Sequence, residues 1–344
     1  MTISLDATYS VGDNLSGVGT YSRELLRGLA AEHPDQKFAF CYRPHRYLRS
    51  LAGPLPANCS RRLLYEPLFP RSREFFHGLN QRVPAIRFRK TVTTFHDLFV
   101  LTADYSTPEF KQRFREQARR AAAQSDLIIT VSEFTATQVE KLLGVERARI
   151  HVVHHGANRL AMPGQWPVRE NLILNVGALQ RRKNIARLVE AFERLPRDWT
   201  LVLAGSPGFG ADDILTRIES SPRRQEIQVL GYVPAEELGT WYARARIFAF
   251  PSLDEGFGMP VLEAMAAGVP VVASNRSALP EVCGDAALLV DPEDSDALYA
   301  ALARLCSDDQ LTQSLIESGR RRAAEFSWKK AVEKTWNVYR ELLD

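Results

Sequence analysis

One pattern recurs along this chain and restricts its fold more than any other feature. A short apolar or β-branched run is followed by a polar or glycine-bearing turn and then by a helix-forming stretch. Ile3–Ala7, Lys37–Tyr42, Thr91–Phe95, Leu127–Val131 and Ile150–Val153 are strand candidates in the first half. Leu172–Val176, Thr200–Gly205, Ile227–Gly231, Ile247–Phe250 and Val269–Ala273 are their counterparts in the second. No hairpin signals join them, and alternating β and α units of this kind imply parallel sheets covered by helices on both faces. At 344 residues with 45% hydrophobic content the chain can fill two cores. Met162–Arg169, with two prolines and a glycine, reads as the join between them. The expected organisation is an α/β domain over 1–161, a linker over 162–170 and a second α/β domain over 171–327. A terminal amphipathic helix over 328–344 carries Trp328, Val332, Trp336 and Tyr339 on one stripe. Residues 43–90 give no clear order.

Net charge is only +3, but it is unevenly spread. Residues 1–168 hold 23 Lys and Arg against 15 Asp and Glu, a net +8, and the remainder is −5. The first half is therefore the one suited to an anionic partner or surface. From Arg61 to Lys90, eight basic and two acidic residues alternate with Leu, Phe and Tyr, and Lys111, Arg113, Arg115, Arg119 and Arg120 extend the positive field. A solvated loop region explains such a run; so does a patch that faces an acceptor or a membrane, with cations on lipid phosphates and aromatics in the interface. No nucleic-acid-binding motif accompanies the charge. Cys41, Cys59, Cys283 and Cys306 have no metal-ligand spacing, so reduced thiols of a cytosolic protein are expected. No apolar run reaches bilayer length and Met1 leads directly into a strand, so neither a signal peptide nor a membrane span is expected.

The stretch with the most chemistry is Pro251–Pro270, P-S-L-D-E-G-F-G-M-P-V-L-E-A-M-A-A-G-V-P. It follows a buried strand and reads as strand, glycine turn, helix. Such a turn offers bare backbone N–H groups at a helix N-terminus, where a phosphate binds readily. Glu255 lies on the turn and Glu263 inside the helix, so each reaches a different part of a ligand laid along it. Three cations, Arg181, Arg182 and Lys183, precede another helix, where they oppose its dipole. An anion there would resolve the conflict, and a pyrophosphate suits both the lysine point charge and the arginine fork. Near the N-terminus, L-S-G-V-G-T-Y (Leu15–Tyr21) is a second strand–glycine–helix unit, but its G-x-G lacks the third glycine of a dinucleotide fingerprint. His96 follows a strand at the end where α/β sheets place their ligands, though a lone histidine is often a packing or capping residue. Ser132 stands in N-cap position before a helix from about Phe134. His154 and His155 point opposite ways in extended chain and are not expected to share a metal.

The string E-G-F-G-M-P-V-L-E-A-M-A-A-G-V-P-V-V-A-S resembles the signature of the large family 4 of retaining glycosyltransferases, which have the GT-B fold. The resemblance runs through the whole chain, strongly over 171–292 and thinly over 43–90. It implies two Rossmann-like domains whose parallel sheets face across a cleft, with the terminal helix crossing back to the first domain. It also implies a nucleotide diphosphate sugar as donor. In the family, Gly17 and Gly19 correspond to a loop facing the donor diphosphate, His96 to a residue next to the donor sugar, and Ser132 to a serine at the cleft. Lys183 and Arg182, with backbone N–H groups at Phe257, Gly258 and Met259, would stabilise the departing phosphate. The chain has Ala178 where a common form has arginine, so Lys183 is the firmer assignment. Leu230–Pro234, including Tyr232 and Val233, resembles the segment whose backbone recognises the base. Glu255 would hold sugar hydroxyls, with Gly256 beside it; Glu263, with Leu262 beside it, would take both ribose hydroxyls. The catalytic set expected is His96, Lys183 and Glu255.

The resemblance further implies no cofactor and no metal. The R-K-N form is similar to bacterial transferases of polysaccharide and O-antigen assembly, which makes GDP-mannose the favoured donor. The acceptor would be a glycan, lipid-linked, at the inner face of the cytoplasmic membrane. A GDP- or dTDP-deoxyhexose or a UDP-hexose would keep fold and mechanism. An epimerase, a pyridoxal-dependent phosphorylase and a non-catalytic sugar-nucleotide-binding subunit are the rival readings.

Overall fold

The structure, a computed structural model, describes residues 1–65, 69, 73–158 and 168–343. It divides into two compact units. The first comprises Met1–Thr102, Thr107–Gly156 and Ser327–Asp344, and the second Ala103–Ser106 and Ala157–Phe326. Residues 162–167 of the expected linker lie outside the described residues, as do 66–68 and 70–72 of the basic stretch; the linker's last position, Glu170, is already strand.

The first unit begins with β1 (Thr2–Asp6), α1 (Gly17–Glu32), β2 (Lys37–Tyr42), α2 (Pro44–Ser50), β3 (Cys59–Leu63) and β4 (Phe75–Gly78). It continues with β5 (Lys90–Phe95), α3 (Phe99–Thr102), α4 (Pro108–Gln124), β6 (Leu127–Thr130), α5 (Glu133–Leu143) and β7 (Ile150–Val152). The seven strands pair in parallel in the order β3-β2-β1-β4-β5-β6-β7. Residues 43–90 hide α2, β3 and β4 for physical reasons. β4 has four residues, all buried, too few to show a period, and β3 is an edge strand carrying Arg61 and Arg62 side by side.

The second unit runs β8 (Glu170–Val176), α6 (Ile185–Glu193), β9 (Thr200–Ala204), α7 (Ala211–Glu219), β10 (Ile227–Gly231) and α8 (Ala235–Arg244). Then come β11 (Ala245–Phe250), α9 (Met259–Ala266), β12 (Val271–Ser274), α10 (Leu279–Cys283), β13 (Leu288–Val290), α11 (Ser295–Ser307) and α12 (Asp309–Ala324). Its six parallel strands are ordered β10-β9-β8-β11-β12-β13, the doubly wound arrangement of nucleotide-binding sheets. β12 starts at Val271 rather than Val269 because α9 ends in a Schellman turn. Gly268 adopts φ +65°, its N–H donates to Met265 O, and Val269 N–H donates back to Ala264 O.

The last helix, α13 (Trp328–Leu343), belongs to the first unit. Val332 and Tyr339 enter the core formed by Leu25, Leu26 and Leu29 of α1. Any side chain at Gly28 would collide with Val332, so the glycine permits this close helix packing. All four cysteines are free thiols. Among the described residues no helix is long and apolar enough to cross a membrane.

Candidate active site

In the second sheet the strand order reverses between β8 and β11, and ligands of open α/β sheets bind beyond the carboxyl ends of strands at such a point. The chain leaves β8 at Gly177, whose carbonyl approaches Gly205 so closely that no side chain fits there. It then makes a 3-10 turn over Arg181–Lys183 and enters α6 through Asn184 in the left-handed conformation, φ +57°. Asn184 Nδ2 donates to Pro251 O (3.1 Å) and Pro292 O (2.7 Å), tying this turn to the one that follows β11.

The two turns meet in a buried ion cluster. Lys183 Nζ donates to Glu255 Oε1 at 2.5 Å and lies 4.5 Å from the Phe250 ring centre. Arg182 Nη1 is 3.0 Å from Glu255 Oε2 and donates to Asp254 O at 2.9 Å. Burial alone would raise the Glu255 carboxyl, but Arg182 and Lys183 overcome it and hold the group at about 2. Arg181 pairs outward with Asp213 at 3.1 Å. Each of the three cations thus already faces an anion of the same chain. Glu255 and Asp213 are the anions that face these cations within the chain.

Beyond Glu255 the backbone turns through Gly256 and Phe257 to Gly258, φ +114°, where an added Cβ would stand 2.7 Å from Leu279 Cδ2. Gly258, the residue before α9, has no side chain to cap it, and Pro260 sits in its first turn. The Phe257 ring packs edge-on against Phe326, and Leu262 is wholly buried, backbone and side chain alike. Met259 is half-buried at the helix start. Glu263 is buried in the same helix. Its Oε1 accepts from Asn158 Nδ2 at 2.6 Å and its Oε2 from Tyr242 OH at 3.0 Å. Burial raises its carboxyl above the ordinary range, and the two hydrogen bonds oppose that shift. Tyr232 is exposed and Val233 half-buried just past Gly231 on β10, which is separated from β11 by β9 and β8. The structure therefore joins Arg182, Lys183 and Glu255 directly, and places Tyr232 and Val233 farther along the same sheet.

The remaining candidates lie in the first unit. His96 follows β5 and is buried; its Nε2 bonds Leu79 O at 2.9 Å, so Nε2 carries the proton. Its ring stands edge-on to Tyr21 (4.7 Å) and stacked on His155 (5.4 Å). Burial lowers its pKa to about 4, so the imidazole is neutral at pH 7. Gly17 is exposed at the first position of α1, while Gly19 is buried, its absent Cβ making room for Tyr9 O. Ser132 performs its capping role: its Oγ accepts from Thr135 N–H at 3.1 Å.

Sequence reasoning passed over Asn158, Tyr242 and Arg169. Arg169 is the anchor of the helix ends here. It donates to Tyr242 O (3.0 Å) and Ala245 O (2.5 Å) at the end of α8, and to Ala267 O (2.7 Å) and Gly268 O (3.0 Å) at the end of α9. An arginine beside prolines reads as linker, and a tyrosine on a helix stripe reads as core; neither carries a local signal.

Two parallel α/β units of this strand order, with a cation–carboxylate cluster at the reversal point of the second, define the class as GT-B. Residues 15–159 match the family described as Glycosyltransferase Family 4, and residues 160–322 the one described as Glycosyl transferases group 1. O-antigen chain mannosyltransferase B of Escherichia coli is 32% identical over 98% of this chain and 99% of its own length. MMP alpha-(1->4)-mannosyltransferase of Mycolicibacterium hassiacum is 34% identical over 67% of this chain and 57% of its own. Sucrose-phosphate synthase from Thermosynechococcus elongatus shares the fold, with a TM-score of 0.80, 23% identity, and coverage of 100% and 99% of the two chains. The chain belongs to the family 4 glycosyltransferases.

Proposed function

We propose that this glycosyltransferase moves mannose from GDP-mannose to a glycan acceptor, lipid-linked, with retention of anomeric configuration. The observation that carries the reading is the Arg182–Lys183–Glu255 cluster at the sheet's reversal point, next to the Gly258-led start of α9. When the bond from the anomeric carbon to the β-phosphate oxygen breaks, negative charge grows on that phosphate. Lys183, Arg182 and the N–H groups at Phe257–Met259 are the groups that would stabilise it, as preorganised donors do in a site largely closed to water. The acceptor oxygen attacks from the same face, and its proton passes to the leaving phosphate. Glu255 orients the donor sugar and Glu263 holds the ribose. These cations take the part that a divalent metal plays in other transferases, so activity should persist with a chelator present. Mannose is favoured by the names of two relatives, both mannosyltransferases. The cationic first half suits the inner membrane face where a lipid-linked acceptor would lie.

The test is a transfer assay with GDP-mannose, UDP-glucose and dTDP-rhamnose against lipid-linked and free acceptors, with and without EDTA, the product anomer being read by NMR. Transfer from GDP-mannose with retention, unaffected by EDTA, supports the proposal. Preference for another donor replaces mannose and leaves the mechanism. Binding of nucleotide without turnover on any acceptor would favour a non-catalytic subunit.

A further inference from the structure

Glu263 receives an unusual amount of support for a residue assigned to a ligand. It lies in the second turn of α9 and is 6% exposed, yet both carboxylate oxygens accept from other parts of the unit. Tyr242, itself wholly buried in α8, donates its hydroxyl to Oε2 at 3.0 Å; its other acceptor, Pro260 O, is more distant at 3.3 Å. Asn158, two residues past the first unit's Gly156, donates Nδ2 to Oε1 at 2.6 Å. Two donors on two oxygens describe an ionised carboxylate held in one plane. Such a group has about four acceptor sites, so one on each oxygen remains. Two vicinal hydroxyls match that remainder.

We infer that Tyr242 and Asn158 are positioning residues for the nucleotide, holding the Glu263 carboxylate ionised and oriented so that each oxygen can accept one hydroxyl of a cis-diol. The inference rests on the proposed role of Glu263 at the ribose. Without the two donors a carboxyl this deeply buried takes up a proton, because burial disfavours the charged form. Among the described residues no other hydrogen bond reaches its oxygens. α12 packs on α9, but its Arg320 lies against Gly268, and its Arg322 bonds Glu281 O and Val282 O and pairs with Glu325. β11 and β12 present apolar residues to the helix, and among the described residues no ion pair reaches Glu263. The raised carboxyl pKa accords with this balance.

The test is calorimetric titration of the full chain with GDP and with 2′-deoxy-GDP at pH 6, 7 and 8, using wild type, Tyr242→Phe, Asn158→Ala and Glu263→Gln. Wild type should bind GDP with nearly constant affinity and discriminate against the deoxy form. Tyr242→Phe should lose affinity most at pH 6, by roughly tenfold relative to its own value at pH 8, and should lose the preference for the 2′-hydroxyl over the same range. Asn158→Ala should behave likewise, and keeps the test open if the buried tyrosine variant does not fold. Wild-type affinity in both variants at every pH, or a loss that does not change with pH, overturns the inference. Unaltered binding by Glu263→Gln overturns instead the reading of Glu263 on which it stands.

Discussion

Lys183 Nζ lies 2.5 Å from Glu255 Oε1, so the cation assigned to a phosphate is already held by a carboxylate of its own chain. A diphosphate entering the site would meet Lys183 and Arg182 partly neutralised, and would have to compete with Glu255 or share them with it.

Glu255→Gln separates the two roles of that carboxylate. It keeps the side-chain shape and removes the charge that both cations face. Leaving buried cations without their counter-ion should lower stability by about 3 kcal/mol or more. The released positive charge should tighten GDP binding by roughly tenfold, or ~1.4 kcal/mol, while sugar transfer falls. Urea denaturation and GDP titration of the same variant read the two effects. Weaker GDP binding would mean that these cations do not meet the phosphate.

Gly258→Ala probes the turn before α9. Alanine there must adopt φ +114° and place its methyl 2.7 Å from Leu279 Cδ2. The expected cost is about 2 kcal/mol of stability, together with weakened nucleotide binding as the N–H groups at Phe257–Met259 shift. Gly144→Ala is the control. It has φ +68° with nothing within 4 Å of the added carbon, at the end of α5 in the first unit. It should cost about 1 kcal/mol and leave GDP affinity as it is. Equal GDP affinity in the two variants would remove the turn from the site.

The contrast between these two glycines shows what the sequence can and cannot convey. The turn at Gly256–Gly258 was legible because its glycines, its two glutamates and the following helix are neighbours in the chain. The strand–turn–helix alternation was legible for the same reason, and most strand ends fall within one or two residues of expectation. Residues whose meaning depends on distant partners were not. Asn158 and Glu263 are 105 positions apart, Lys183 and Glu255 are 72 apart, and His77 reaches Tyr339 across 262. The cations at 181–183 stand out locally against the helix dipole, whereas their counter-ions Glu255 and Asp213 lie far away in the chain. The brief buried β4 and the cationic edge strand β3 lacked a period long enough to read.

Arg169 is expected to be among the most sensitive positions outside the ion cluster. Its guanidinium serves four carbonyls at the C-terminal ends of α8 and α9, where a cation also complements both helix dipoles. Because those helices carry Tyr242 and Glu263, its loss should loosen both. Arg169→Ala should destabilise the second unit by about 3 kcal/mol or more. Arg169→Lys cannot form the fork and should recover less than half of that. Hydrogen exchange over 235–268 measures it: protection should fall there in both variants and stay unchanged over 75–96 of the first unit.

Acid should act on the two units in different pH ranges. In the first, burial lowers His77 to about 3, with a contribution from His96, and lowers His96 itself to about 4, against an ordinary value of 6.5. His77 is wholly buried, with Nδ1 hydrogen-bonded with Tyr339 OH (2.6 Å) and Nε2 with Thr94 Oγ1 (2.9 Å), and neither hydroxyl supplies a counter-charge for a protonated ring. Below pH 6.5 the unfolded chain binds protons that the folded unit refuses. Stability therefore declines as pH drops from 6.5 toward 4, by about 1.4 kcal/mol per pH unit for each histidine. In the second unit Glu255 has the opposite charge type but the same sign of effect. Its folded value of about 2 lies below the ordinary 4.5, so its contribution is complete above pH 4.5 and lost only as pH falls from there toward 2. Between pH 6.5 and 4.5 the first unit should lose protection over 75–96 while 245–268 holds. His77→Gln should flatten that decline by the share of one histidine. An equal decline in the variant and the wild type would show that His77 takes up its proton without unfolding.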